Sequence, residues 1–218
     1  MELTELQEKL LIMASHAEAA VNHAVKALIR RDDELARRTR EEDSVIDALE
    51  MEIDETALRL LADRPTAFEL RLITTAMKIA HDLERVGDEA TSISRRCIEL
   101  SLEPPLRHTG KIPPLASLAL QLLKEALDAF VNQEPAKARE LIPRDEPVDV
   151  LNKQLHQELV AYMTDHPETI KRCLSLMVVA KCLERIADHA TNVAEMVVFL
   201  YEGRDIRHTG IKSAGQAV

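Results

Sequence analysis

One stretch of this sequence occurs twice, 100 positions apart: Leu83-Glu84-Arg85-Val86-Gly87-Asp88 returns as Leu183-Glu184-Arg185-Ile186-Ala187-Asp188. The match spreads outward at the same offset, through Met77 and Met177, Ala80 and Ala180, and Ala90-Thr91 and Ala190-Thr191. Arg107-His108-Thr109-Gly110 also returns as Arg207-His208-Thr209-Gly210. A repeat at fixed offset means the chain is two copies of one structural unit, so any fold must be built twice. Within each copy a carboxylate pair stands at i, i+4, the spacing that puts two side chains on one face of a helix.

The unit reads as helical. The chain of 218 residues has only 5 Gly and 2% aromatics, too few of either for a strand-and-turn fold, whereas Ala, Leu, Glu and Arg favour helix. Six helical segments are expected: Leu3 to Arg30, with apolar residues at three- and four-residue steps; a second capped by Asp32 or Asp33 and running to Leu61; a third, after Asp63-Arg64-Pro65, to Leu100; a fourth from Leu115 to Asn132; a fifth from Pro135 to Thr164, broken or bent near Pro143 and Pro147; and a sixth to Glu202. The expected fold is all-α, two pseudo-symmetric three-helix bundles in tandem. Residues 1–102 form the first repeat, 103–114 a Pro-rich linker, 115–203 the second repeat and 204–218 an irregular tail.

On a wheel of about 100° per residue, Leu72, Ile79, Leu83, Val86, Ala90, Ile93 and Cys97 make the core stripe of the third helix. Glu84, Asp88 and Thr91 then share the outer stripe, as do Glu184, Asp188 and Thr191 on the last helix. On the second helix Asp43, Asp47, Glu50 and Asp54 fall within about 60° of one another, opposite Val45, Leu49, Ile53 and Leu60. With an offset of 102, Asp145 and Asp149 match Asp43 and Asp47, Asn152 matches Glu50 and His156 matches Asp54. A single D-x-x-x-D on a helix is ordinarily a solvated surface. Four pairs at matching places in a duplicated chain point instead to two outward-facing carboxylate clusters: Asp43 and Asp47 with Glu84 and Asp88, and Asp145 and Asp149 with Glu184 and Asp188. Like charges so spaced repel. A bound cation would offset the repulsion, and clustered carboxylates suit metals that favour oxygen. His156 would add nitrogen in the second half and tilt it toward a transition metal, whereas His81, whose counterpart is Lys181, reads as a half-exposed helix residue.

Several classes are excluded. A net charge of −10 is wrong for a nucleic-acid binder. Cys97, Cys173 and Cys182 form no C-x-x-C pair and read as core residues in a reducing cytosol. Neither a signal-peptide pattern nor an apolar run of membrane-spanning length is found, so no direct membrane insertion is expected. No nucleotide-loop or hydrolase motif appears.

At these residues the chain resembles the PhoU family. The likeness rests on the paired E(D)-x-x-x-D motifs, on Leu83 to Asp88 and its repeat, and on the ending Gly203 to Gly210, and spans about residues 3 to 210. The resemblance implies a cytoplasmic, non-enzymatic negative regulator of the phosphate-starvation response, peripheral at the inner membrane through partners. It would act as an adaptor between a phosphate ABC transporter and a sensor histidine kinase, as a homodimer, with iron, zinc or another divalent cation on its carboxylate motifs. Ala187 in place of Gly87, and Pro147 inside Asp145–Asp149, distort the expected second site and make the first the better-formed of the two. Two alternatives remain open on the residues: a ferritin-like carboxylate-bridged metalloenzyme, which needs inward-facing Glu and Glu-x-x-His pairs, and a helical scaffold.

Overall fold

The computed structural model describes residues 2–106 and 110–207. Arg107-His108-Thr109 and His208-Thr209-Gly210, which carry most of the repeated tetrapeptide, lie outside the described residues, as does nearly all of the tail expected at 204–218.

Every long helix starts or stops for a local reason. α1 (Glu2–Arg30) ends where Arg31 turns to a left-handed φ of 55°, and Asp32 caps α2 (Asp33–Ala62) by accepting from Leu35 N–H at 3.0 Å. α3 (Ala67–Ser101) opens on a reciprocal capping box: Thr66 Oγ1 accepts from Glu69 N–H at 3.3 Å, and Glu69 Oε2 accepts from Thr66 N–H at 2.7 Å. α4 is Ile112–Val131, so Pro113 and Pro114 sit in its first turn rather than in the expected link, where their missing N–H groups cost nothing.

The fifth segment breaks at the expected prolines. It consists of α5 (Pro135–Leu141), a 3-10 turn (Ile142–Asp145) and α6 (Glu146–Asp165), with Pro147 in the first turn of α6. A second 3-10 turn (Pro167–Thr169) leads into α7 (Ile170–Glu202), which stops at left-handed Gly203 (φ 66°), whose N–H donates to Phe199 O at 2.9 Å. No strand occurs among the described residues.

α1, α2 and α3 pack as one three-helix bundle, and α4 to α7 form the second, in which the broken α5–α6 segment stands where α2 stands in the first. α3 lies against α7, so the two repeats meet along their third helices. Leu10, Met13, Ile53 and Ile79 join Leu123, Leu183 and Ile186 in one continuous apolar core that crosses this seam.

The seam carries a near two-fold set of polar contacts. Asp82 Oδ1 accepts from Asn192 Nδ2 at 3.0 Å and pairs with His189 Nδ1 at 2.8 Å. At the positions related by the repeat, Cys182 faces Glu89 and Ser92. Arg185 Nη1 donates to Glu89 Oε1 at 3.1 Å, which makes Arg185 a strut between repeats.

The wheel assignment holds for the core stripe of α3 and needs three corrections elsewhere. Thr191 is buried, not on an outer stripe, because α7 touches α3, α4, α5 and α6 and has little free face; its hydroxyl donates to Asp188 O at 2.8 Å. On α2 the buried residue is Ile46, while Val45 is exposed. Asp145 does not face outward: it is 7% exposed, because the tighter winding of the 3-10 turn takes it off the stripe of Asp149.

Candidate functional site

The first acidic cluster lies on the α2–α3 seam. It exists because Gly87, on α3, gives α2 room: a Cβ there would stand 2.9 Å from Asp43 Oδ1 and 3.0 Å from Ile46 Cδ1. Asp43 is half-buried, close enough to Asp47 and Asp88 to feel both charges, and turned toward the Thr91 hydroxyl. Burial, then the charges of Asp47 and Asp88, push its carboxyl above the ordinary range, while the Thr91 hydroxyl works the other way.

Glu84 shows the same pattern. Burial raises its carboxyl first, followed by the charge of Asp88 and, more weakly, Glu50, against the lowering effect of Arg85 and His81. Arg85 bridges the stripe, with Nε 2.6 Å from Glu84 Oε2, Nη2 donating to Glu84 Oε1 at 3.0 Å and Nη1 2.9 Å from Asp88 Oδ2. Glu84 Oε2 is shut off from solvent and held by the Arg85 ion pair.

The sequence reads His81 as a half-exposed helix residue, because its counterpart is Lys181. The structure brings it into the cluster: its Nδ1 lies 3.2 Å from Glu50 Oε1. Glu50, His81 and Glu84 place one ligand atom each within 4.8 Å of one another. The signal was present as a three-residue step from His81 to Glu84, which shares a helix face.

In the second half, Asp149, Asn152, His156 and Glu184 line an open groove of about 590 Å³ between α6 and α7, with Lys153, Gln157, Val160 and Ala161. Asn152 Oδ1 and Glu184 Oε2 are buried without a hydrogen bond of good geometry, although Lys181 Nζ makes an ion pair with Glu184 Oε2. His156 Nε2 lies 3.3 Å from Met177 O. A carbonyl only accepts, so Nε2 carries the proton and Nδ1 is left as the acceptor in the neutral ring. Asp188 is half-buried, one turn beyond Glu184. The groove thus brings together Asp149, Glu184 and His156, while Asp145 is folded inside.

Both sets therefore offer oxygen ligands to a cation, with one imidazole beside each, and in the first half burial and like charge raise two of the carboxyls. Among the described residues no helix is long and apolar enough to cross a membrane.

A family model described as the PhoU domain matches this chain twice, at residues 10–97 and 112–197. Over 213 residues the chain is 41% identical to a phosphate-specific transport system accessory protein PhoU homolog of Pseudomonas putida, covering 97% of this chain and 83% of that protein. The homolog of Aquifex aeolicus is 38% identical over 216 residues, 99% of this chain and 98% of the relative. Among solved structures, PhoU from Pseudomonas aeruginosa superposes with a TM-score of 0.90 at 40% identity, over 93% of this chain and 98% of that one. The phosphate transport system regulatory protein PhoU from Streptococcus pneumoniae superposes at 0.87 and 28% identity, over 94% and 97% of the two chains.

Proposed function

Because this chain belongs to the PhoU family, we propose that it is a regulatory accessory of a phosphate-uptake system, and that it works by binding rather than by catalysis. The finer reading is an adaptor. In high phosphate it docks on a phosphate ABC transporter in the cytoplasm, holds a sensor histidine kinase in its inactive state and so keeps phosphate-starvation genes off; the working form is a homodimer.

Its acidic seams supply the chemistry. Asp43, Asp47, Glu84 and Asp88 in the first repeat, and Asp149, Glu184 and Asp188 with His156 in the second, would hold divalent cations such as iron or zinc. A bound cation supplies positive charge, which turns a carboxylate-lined seam into a surface able to accept anionic groups of a partner. Arg85 orients Glu84 and Asp88 from their own helix and limits their mutual repulsion.

The observation that supports the metal reading is the gathering of Asp43, Asp47, Glu84 and Asp88 on the α2–α3 seam, where burial and like charge raise Asp43 and Glu84. The regulatory reading rests on 41% identity across 97% of the chain to a named accessory protein.

The test is transcription of phosphate-starvation genes in cells grown in high phosphate with this gene deleted. Expression rises, is restored by the wild-type gene and is not restored by a Glu84→Gln, Asp88→Asn double variant. Unchanged expression after deletion overturns the regulatory reading. Full rescue by a double variant that no longer holds metal overturns the part assigned to the cation.

A further inference from the structure

A cavity of about 210 Å³ lies where the two repeats and the segment joining them meet. Leu28 and Leu100 wall it from the first repeat, Leu106 from the link, and Ile112 and Leu176 from the second repeat. Cys97, Ile112 and Leu176 are each 1% exposed and make its floor, whereas Ile29, 55% exposed, marks its mouth. None of these residues belongs to the acidic seams. We propose that this cavity is a binding site for a small uncharged apolar molecule, held jointly by both repeats and the link.

The polar groups at its edge are already engaged. Arg31 is the only charged residue lining it among the described residues. Its Nη2 donates to Leu100 O at 2.9 Å, Ser101 O at 3.0 Å and Glu103 O at 2.5 Å. Arg172 Nη1 donates to Pro104 O at 2.9 Å and pins the link from the other repeat. The prolines on the walls, Pro104, Pro105 and Pro113, have no N–H to offer a ligand.

Charge around the floor selects against ions. Cys97 feels Asp33 and Asp32 as negative and Arg31 as positive. An entering anion meets the two aspartates and an entering cation meets the arginine, and a buried ion without a partner of its own is costly. A neutral molecule avoids both costs and removes apolar wall from water.

Size limits the molecule. A cavity of about 150 Å³ takes benzene, so one of about 210 Å³ takes on the order of eight carbons. The link occurs once in a chain otherwise built twice, so the site has no second copy. A ligand touching Leu28, Leu106 and Leu176 together favours the conformation in which repeats and link are docked, and so stabilises the joint.

The full-length protein, labelled with carbon-13 on its Ile and Leu methyls, is titrated with ethylbenzene and separately with phenylacetate, which has the same carbon count and a negative charge. Expected are nuclear Overhauser contacts from ethylbenzene to the Ile112 and Leu176 methyls, a thermal midpoint that rises with ligand, and phenylacetate binding at least about tenfold weaker. Leu106 is half-buried on a stretch without helix, so Leu106→Phe can fill the space without disturbing a helix. It should weaken ethylbenzene binding at least about tenfold. Leu106→Ala widens the space and should admit butylbenzene, which the wild-type protein excludes. Circular dichroism checks that both variants keep their helix. Contacts confined to residues outside the cavity, unchanged ethylbenzene affinity in Leu106→Phe, or phenylacetate bound as tightly as ethylbenzene overturns the inference. So does tighter binding of N-acetylphenylalaninamide than of ethylbenzene, which assigns the cavity to an anchoring side chain of a partner protein. None of these outcomes bears on the acidic seams or on the regulatory reading.

Discussion

Gly87 lies directly beneath Asp43: a methyl group on Gly87 would sit 2.9 Å from Asp43 Oδ1 and 3.0 Å from Ile46 Cδ1. Both obstructing atoms are the far ends of side chains, so Gly87→Ala forces Asp43 to swing rather than the helices to part. Alanine gains about 1 kcal/mol of helix propensity, and crowding costs about as much. The expected result is a urea midpoint close to wild type with weaker cation binding, read by chemical denaturation and calorimetric titration on one sample. A variant that binds cations as tightly as wild type removes Asp43 from the first site.

Asp43 and Glu84 also give the metal-free protein a pH signature. Burial comes first, and like charge adds to it, in raising both carboxyls above their ordinary values of 3.8 and 4.5. A raised folded-state pKa means the folded chain binds the proton more tightly. The stability these groups permit is therefore complete below the ordinary values and is lost as pH rises through the raised ones. Glu69, Glu125 and Asp205 are lowered and act in the opposite sense, so the difference between variant and wild type is the quantity to read. In chelator, Glu84→Gln should gain stability relative to wild type as pH climbs from the ordinary glutamate range toward neutrality, then level off. A difference that does not vary with pH contradicts the assignment. With cation present the gain should disappear.

The helix order, the break at Pro143 to Pro147 and the buried stripe of α3 were all legible because periodicity and proline act locally. What the wheel missed comes from neighbours. Thr191 is buried because α7 is enclosed by helices from both repeats, which no single-helix pattern encodes. Asp145 turned inward because four residues wind as 3-10 rather than α, a change of a few tens of degrees that moves one ligand candidate off its face. The place of His81 beside Glu50 is hidden in the sequence for a different reason. The repeat that located the carboxylates also argued that a site must be present in both copies, and the copies have diverged at Lys181.

Arg31 links two helix ends. It adopts a left-handed φ of 55°, which costs a non-glycine residue about 1–2 kcal/mol. Its Nη2 then donates to the last carbonyls of α3 and beyond: Leu100 O at 2.9 Å, Ser101 O at 3.0 Å and Glu103 O at 2.5 Å. These are the orphan acceptors of a helix C-terminus. Arg31→Ala keeps the strain and loses the bonds, and should destabilise by about 1–3 kcal/mol. Arg31→Gly loses the same bonds but relieves the strain, and should cost less. Equal thermal midpoints for the two variants would show that the backbone conformation carries no strain.

Two cysteines should be inert in the folded protein. Burial drives the Cys97 thiol up to about 11, and burial with the neighbouring Glu89 drives Cys182 up to about 12. Almost none of either is thiolate at neutral pH, and the thiolate is the reactive form. Alkylation at neutral pH followed by mass spectrometry should leave both unmodified until denaturant is added. Rapid labelling of Cys182 in the native protein would mean that the α3–α7 seam opens readily.

That seam sets how the two repeats share stability. Asp82 accepts from Asn192 at 3.0 Å and pairs with His189 at 2.8 Å, with only 14% of the Asp82 side chain and 20% of the His189 side chain exposed. Removing the carboxylate leaves His189 and Asn192 short of a partner in a half-buried place, so Asp82→Ala should cost about 1–3 kcal/mol. Because Ile79, Leu83, Leu183 and Ile186 belong to one core that crosses from α3 to α7, the loss should appear as an earlier but still single unfolding transition, coincident by circular dichroism and by calorimetry. Two separated transitions in this variant would instead mean that the repeats hold independent cores, with the Asp82 contacts as the principal tie between them.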